Sequence, residues 1–304
     1  MQVVYESKQE NVTNLKDSMI IRGDAATVLN WLPVNFFRCC ITSPPYWGLR
    51  DYGAEEQIGA EDEPEFYIRR LVSVFEEVRR VLADDGTLWL NIGDSYTSGN
   101  RGYRAPDKKN PVRAMSYRAP TPAGLKPKDL IGIPWRLAFA LQEAGWYLRS
   151  DIIWEKPNCM PESVKDRPTR AHEYIFLFSK SPKYFYNHHN AVETNGRNRR
   201  TVWSIPTEPF SGAHFATFPP KLVEPCILIG SQPGDWVIDP FFGSGTVGAV
   251  CEQQRRKYIG IEINPDYVQI ATKRIAGAQP LLDSLRQRGI ACCRGTEIVT
   301  EYCS

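Results

Sequence analysis

Long apolar runs are missing from this chain: nothing in its 304 residues approaches the roughly 20 consecutive apolar side chains that cross a bilayer. Its opening stretch, residues 1–19, lacks the hydrophobic segment of a secretory signal, so a soluble, cytoplasmic protein without membrane contact is expected. An excess of one charge is missing too. The 37 Lys and Arg face 35 Asp and Glu, leaving +2, so a polyanionic partner must be argued from local clusters. The eight cysteines include no C-x-x-C pair, which removes the usual zinc-finger spacing, and no metal is expected. In a reducing compartment they read as free thiols of core and tail, the adjacent Cys39-Cys40 and Cys292-Cys293 among them. No G-x-x-x-x-G-K-[ST] occurs, so a nucleoside triphosphate is not the expected ligand. What remains is an ordinary globular balance, 42% apolar and 24% charged, enriched in aromatics at 12% with eight Trp.

Apolar patterning alternates strands and helices. Ser18–Asp24 reads as a strand ending on an acid, and Val28, Leu29 and Leu32 follow at helical spacing. Phe36–Thr42 reads as a buried strand stopped by Pro44-Pro45, since two prolines cannot continue a ladder. Helical spacing from Tyr67 to Leu82 leads to a turn at Asp85-Gly86 and a strand over Thr87–Ile92. Ile133–Ala144 is a helix closed by Gly145, and strands follow at Trp146–Trp154 and Tyr174–Phe178. Lys221–Ile229, Val247–Gln254 and Pro265–Ala276 read as helices, with strands at Trp236–Asp239 and Tyr258–Ile263. This alternation predicts an α/β fold with a parallel-type sheet. No internal repeat or clean linker appears, so residues 1–304 are expected to form one catalytic domain with inserted loops.

Chemistry concentrates at two strand ends. Asp239-Pro-Phe-Phe-Gly243-Ser-Gly245-Thr246 lies between a strand and a helix, where glycines admit a ligand to the backbone and a helix N-terminus donates N–H groups. Glu262, 23 residues beyond Asp239, stands at the next strand tip, placed to accept from both hydroxyls of a ribose. With no lysine in the turn, a nucleoside without phosphates fits, and S-adenosylmethionine is such a molecule. A tight turn that merely packs helix on strand is the plainer alternative. The other end, Thr42-Ser43-Pro44-Pro45-Tyr46-Trp47, offers a serine hydroxyl, a proline carbonyl and a ring face. Two acceptors and a stacking face suit a planar ring bearing an exocyclic amine. Accepting both amine protons frees the nitrogen lone pair to attack a methyl sulfonium, and no enzyme nucleophile is needed. The plainer alternative here is a proline-stiffened loop with packed aromatics.

TSPPYW together with DPFFGSGT resembles the amino-directed DNA methyltransferases. Serine in first place is similar to the N4-cytosine branch, where N6-adenine enzymes usually carry Asp or Asn. The target motif precedes the cofactor motif, as in the circularly permuted beta group, and the resemblance runs from Ile20 to Arg274. It implies a Rossmann-like, S-adenosylmethionine-dependent methyltransferase sheet with permuted motif order, acting on double-stranded DNA. A cognate restriction endonuclease acting separately is the implied companion. Catalytic roles fall to Ser43, Pro44, Pro45 and Tyr46. Cofactor contacts fall to Asp24, Asp239, Phe241, Gly243, Ser244, Gly245, Thr246, Glu262 and His214. The segment from His214 to Pro219 departs from the commoner His-Pro-Thr-Gln-Lys-Pro form, so His214 is equally a surface histidine. Asp94 is a pocket acid or a turn cap. Adenine N6 methylation and a non-catalytic nucleic-acid binding protein remain alternatives. Carbon-5 methylation, which needs a thiolate in a Pro-Cys-Gln context, is disfavoured: Pro225-Cys226 is followed by Ile227 in an apolar helical run.

A base inside a duplex must be flipped out to reach such a pocket, with Tyr46 as its stacking surface. Phosphate contacts need Lys and Arg on reachable segments. Two segments supply them: the basic loop 97–128, with Lys108 and Lys109, and the stretch 183–212, with Arg197, Arg199 and Arg200, which the resemblance implies is the target-recognition region. By the same resemblance, Lys156, Arg170 and His172 belong to blocks that flank the pocket, placed to touch phosphate or to shape the pocket.

Overall fold

On the strand Leu82–Ile92, Leu88, Leu90 and Ile92 join one hydrophobic cluster and Trp89 the other. On Phe37–Thr42, Cys40 joins the first cluster and Cys39 and Ile41 the second. Side chains two apart share a face, so these strands are buried on both sides and read as near-continuous apolar runs. The computed structural model describes residues 3–6, 15–48, 57–97, 120–193, 195–208 and 218–278. It forms one nine-stranded sheet between two helical layers.

In chain order the strands are β1 (Val3–Glu6), β2 (Met19–Arg22), β3 (Phe37–Thr42), β4 (Leu82–Ile92), β5 (Tyr147–Glu155), β6 (His172–Ser179), β7 (Val202–Ser204), β8 (Trp236–Asp239) and β9 (Lys257–Glu262). The helices are α1 (Ala25–Leu29), α2 (Pro64–Val81), α3 (Ile133–Glu143), α4 (Pro220–Gly230), α5 (Thr246–Gln253) and α6 (Pro265–Ala276). Val28, Leu71, Phe75 and Leu137 bring α1, α2 and α3 to one face. Leu222, Val250 and Ala271 bring α4, α5 and α6 to the other.

Across the sheet the order is β1-β2-β9-β8-β3-β4-β6-β5-β7. From β1 to β4 every pairing is parallel, but β6 runs antiparallel to both β4 and β5. The parallel-type sheet expected from the sequence is therefore a mixed one. Residues 156–171, which join β5 to β6, contain no helix, and a helix is the usual crossover that brings a strand back parallel. The expected turn at Asp85-Gly86 is also replaced. β4 begins at Leu82, and its register with β3 jumps from Phe37 opposite Leu82 to Cys39 opposite Thr87. Residues 83–86 bulge out opposite Arg38, which pairs with Asp85 in the bulge and with Asp235 at 3.6 Å. β7, only three residues long, was not foreseen.

The path from β8 through α5 to β9 leads to one side, and the path from β3 through α2 to β4 leads to the other. Between β8 and β3 the winding reverses, and such a switch point opens a crevice at the carboxyl ends of the strands. Both sequence motifs stand on its lips. The last described strand, β9, pairs with β2 near the start of the chain, Arg22 opposite Glu262, which is the physical form of the permuted order.

Candidate active site

Thr42 ends β3 and Asp239 ends β8, and their side chains meet in the core. The Thr42 hydroxyl donates to Asp239 Oδ1 at 2.6 Å, and the Phe241 amide donates to the same oxygen at 3.1 Å. Burial pushes the Asp239 carboxyl up to about 7, although both hydrogen bonds pull it down. One side chain thus ties the strand before the target motif to the first bend of the glycine turn.

Gly245 takes φ 76° at the N-terminus of α5. A β-carbon there would lie 2.8 Å from Ala271 Cβ, so glycine serves both the left-handed backbone and the close approach of α6. The Gly243 amide donates to Glu262 Oε2 at 2.7 Å and the Asn264 amide to Oε1 at 2.8 Å. Burial raises the Glu262 carboxyl against those two amides. Asp24 stands next to β2, where the Gly23 amide donates to the Glu262 carbonyl at 3.0 Å. Its exposed carboxylate caps α1 by accepting from Thr27 N at 2.9 Å.

Ser244 and Thr246 face away from this rim. Their hydroxyls accept from Arg274 Nη1 at 2.9 and 2.8 Å, pinning the turn to α6. The rim thus offers the carboxylates of Glu262 and Asp24 and the apolar side chains of Phe241 and Ile263, with the guanidinium of Arg274 beneath the turn. Carboxylate acceptors beside apolar side chains fit a ligand with ribose hydroxyls and a positive centre better than one with phosphates.

On the other lip, Pro44 is buried, and the Pro45 carbonyl accepts from the Tyr67 hydroxyl at 2.8 Å. Tyr67 on α2 thereby holds the carbonyl of the second proline. The Tyr46 ring lies over Gly93, where any β-carbon would sit 2.7 Å from Tyr46 Cε2. Its hydroxyl donates to Glu173 Oε2 at 2.8 Å and receives the Ser43 hydroxyl at 3.4 Å. Desolvation and then the Glu173 charge push the phenol well above its usual range, so it stays a proton donor. Glu173 also accepts Asn91 Nδ2 at 3.2 Å and pairs with Lys156, whose ammonium is 4.2 Å from the centre of the Trp154 ring.

The structure separates the remaining candidates. Asp94 Oδ1 accepts the amides of Ser95, Gly132 and Ile133, each at 2.9 Å, which makes it the cap of α3. Arg170 pairs with Asp94 at 3.5 Å, and Lys156 with Glu173. Arg197, Arg199 and Arg200 are exposed beside β7, with the Arg199 guanidinium 5.2 Å from the centre of the Trp203 ring. β7 lies four strands from β3, about 20 Å away at sheet spacing. Lys108, Lys109, His214 and most of the loop 97–128 lie outside the described residues. Cys226 is buried, its thiol pushed well up by desolvation, and it is not poised as a nucleophile. Sequence reasoning gave Glu173 no role. Its signal was there: an acid directly before the strand's apolar run Tyr174–Phe178.

A family model described as DNA methylase, covering N6 and N4 enzymes, matches residues 37–273. The chain is 64% identical over 267 residues to the type II methyltransferase M.Cfr9I of Citrobacter freundii, covering 86% of this chain and 89% of that one. It is 60% identical over 269 residues to M.SmaI of Serratia marcescens, covering 86% and 92%. Among solved structures, the cytosine-N4-specific PvuII DNA methyltransferase superposes with a TM-score of 0.67 at 22% identity, over 85% of this chain and 86% of that one. A Thermus thermophilus protein complexed with S-adenosyl-L-methionine superposes with 0.62 at 25% identity, over 86% and 94%.

Proposed function

The chain belongs to the N6/N4 DNA methylase family, and from that premise we propose that it methylates the exocyclic N4 of cytosine in double-stranded DNA. The methyl donor is S-adenosyl-L-methionine, which the T. thermophilus protein carries in its solved complex. The observation that supports the reading best is the Thr42–Asp239 bond, which brings the glycine turn and the Ser43-Pro44 segment to one crevice.

Glu262, Asp24 and the backbone of Phe241–Gly245 hold the donor, which when bound supplies an electrophilic methyl on a sulfonium. Ser43 Oγ and the Pro44 carbonyl accept the two amine protons of an extruded base, so the nitrogen lone pair points at the incoming methyl. Tyr46 stacks the base, whose extrusion costs a few kcal/mol. Serine in first place, and the N4-specific PvuII neighbour, favour cytosine over adenine. Basic residues of 97–128 and 183–212 contact phosphate. The naming of its relatives as type II enzymes supports a role beside a separate cytoplasmic restriction endonuclease.

Incubation with DNA and methyl-labelled donor, digestion to nucleosides and mass spectrometry test this. Labelled N4-methylcytosine is expected. Labelled N6-methyladenine keeps the amine chemistry and overturns the choice of base; labelled 5-methylcytosine overturns both.

A further inference from the structure

We propose that Glu173 sets the direction of the protons at the target site: acting through Tyr46 it turns Ser43 into an acceptor toward the amine, and it takes up the proton that the amine gives away. The inference deepens the methyl-transfer reading above and rests on it.

A serine hydroxyl has one proton and two lone pairs, and alone it has no preference for giving or taking. Here the neighbours decide. The Glu173 carboxylate is surrounded by donors: Tyr46 Oη and Asn91 Nδ2 on Oε2, and the ammonium of Lys156 on Oε1. Tyr46 has one proton, and it goes to the carboxylate at 2.8 Å rather than to Asn91 Oδ1 at 3.4 Å. Its lone pair then receives the proton of Ser43, whose Oγ is 3.4 Å away, a long contact of the kind that tightens when substrate fills a site. With its proton committed, Ser43 faces the crevice with lone pairs only. That arrangement takes the N–H of an amine and rejects a carbonyl at the same place.

The same chain carries the proton out. As the N–CH3 bond forms and the sulfur leaves with its electron pair, the nitrogen becomes cationic and must lose one proton. That proton passes to Ser43 Oγ, the serine proton to Tyr46 Oη and the phenol proton to Glu173, which ends as a neutral carboxyl. Lys156 holds the carboxylate in place beforehand, and Gly93 lets the Tyr46 ring lie close enough to reach it.

Glu173→Gln tests the idea at constant shape. Its amide must turn the oxygen to Lys156, so it presents N–H to Tyr46 and reverses the chain. Two readouts are needed. The first is the single-turnover methylation rate on DNA that the wild type methylates, expected to fall by about 100-fold or more. Tyr46→Phe should cost a similar factor, and the double variant little beyond either alone. The second uses the protein without methyl donor: its affinity for the same duplex with cytosine or uracil at the target, opposite a non-pairing partner. The wild type should prefer cytosine by about tenfold, and in Glu173→Gln that preference should shrink toward one. An unchanged rate with an unchanged preference overturns the inference. So does a slow variant that keeps its cytosine preference but melts earlier or binds all DNA weakly, because Glu173 would then act only on folding. A wild type that methylates no amine overturns the underlying reading, and this one with it.

Discussion

Asp239 answers to two demands at once. It closes the strand that carries the glycine turn, and it holds Thr42 across the crevice, all at 1% exposure. A carboxyl pushed up to about 7 in the folded chain and near 4 in the unfolded one makes stability depend on pH. Between those values the folded state binds the extra proton. The contribution is therefore complete below about pH 4 and is lost as pH rises through about 7. Glu262, raised by burial, acts in the same direction. Asp239→Asn should flatten the fall of the denaturant midpoint across that window while sparing the acid side, as urea titrations at stepped pH will show. Of the site residues, the ends of β3 and β8 were readable because prolines and glycines mark them in the chain. Glu173 was not readable as a partner of Tyr46. The two lie 127 positions apart, and only the antiparallel β6 beside β4 brings them within 2.8 Å.

At the scale of elements, the strands β2, β3, β8 and β9 and the helices α2, α3, α5 and α6 follow the apolar periodicity closely. Strand direction does not, because an apolar run reads alike both ways; hence the misjudged β6. Three-residue β7 is too short to show a period, and the bulge at residues 83–86 depends on Arg38 reaching Asp85 from another strand. The start of α3 is similar. Its N-cap residue is Gly132, which offers no side chain, so the capping oxygen comes from Asp94, 38 positions earlier. Asp94→Ala removes the acceptor for three amides and should cost about 1–2 kcal/mol, the upper range for a lost cap. The midpoint of chemical unfolding measures it. Arg170, deprived of its partner at 3.5 Å, would add to the loss.

Taken as a whole, the molecule presents the carboxylates of Glu262 and Asp24 on the rim of the glycine turn and arginines on the flank beside β7. The phosphate contacts proposed for that flank imply a simple salt signature. Replacing Arg197, Arg199 and Arg200 together by Ala should weaken DNA binding about equally for all sequences. Each residue that truly meets a phosphate should lower the slope of log affinity against log salt by about 0.9. Filter-binding or anisotropy titrations from low to moderate salt give that slope, and an unchanged slope removes this face from the interface.

The brevity of β7 reaches past the single molecule. An open sheet ends in a row of unpaired peptide groups, a template onto which another chain can zip. Among the described residues, β7 covers only Ile153–Glu155 of β5 and is itself three residues long, followed soon after by Pro206 and preceded by Arg197, Arg199 and Arg200. A second copy approaching this border meets like charge before it finds a partner for its backbone. Short length, a nearby proline and like charge all work against edge-to-edge pairing at β7.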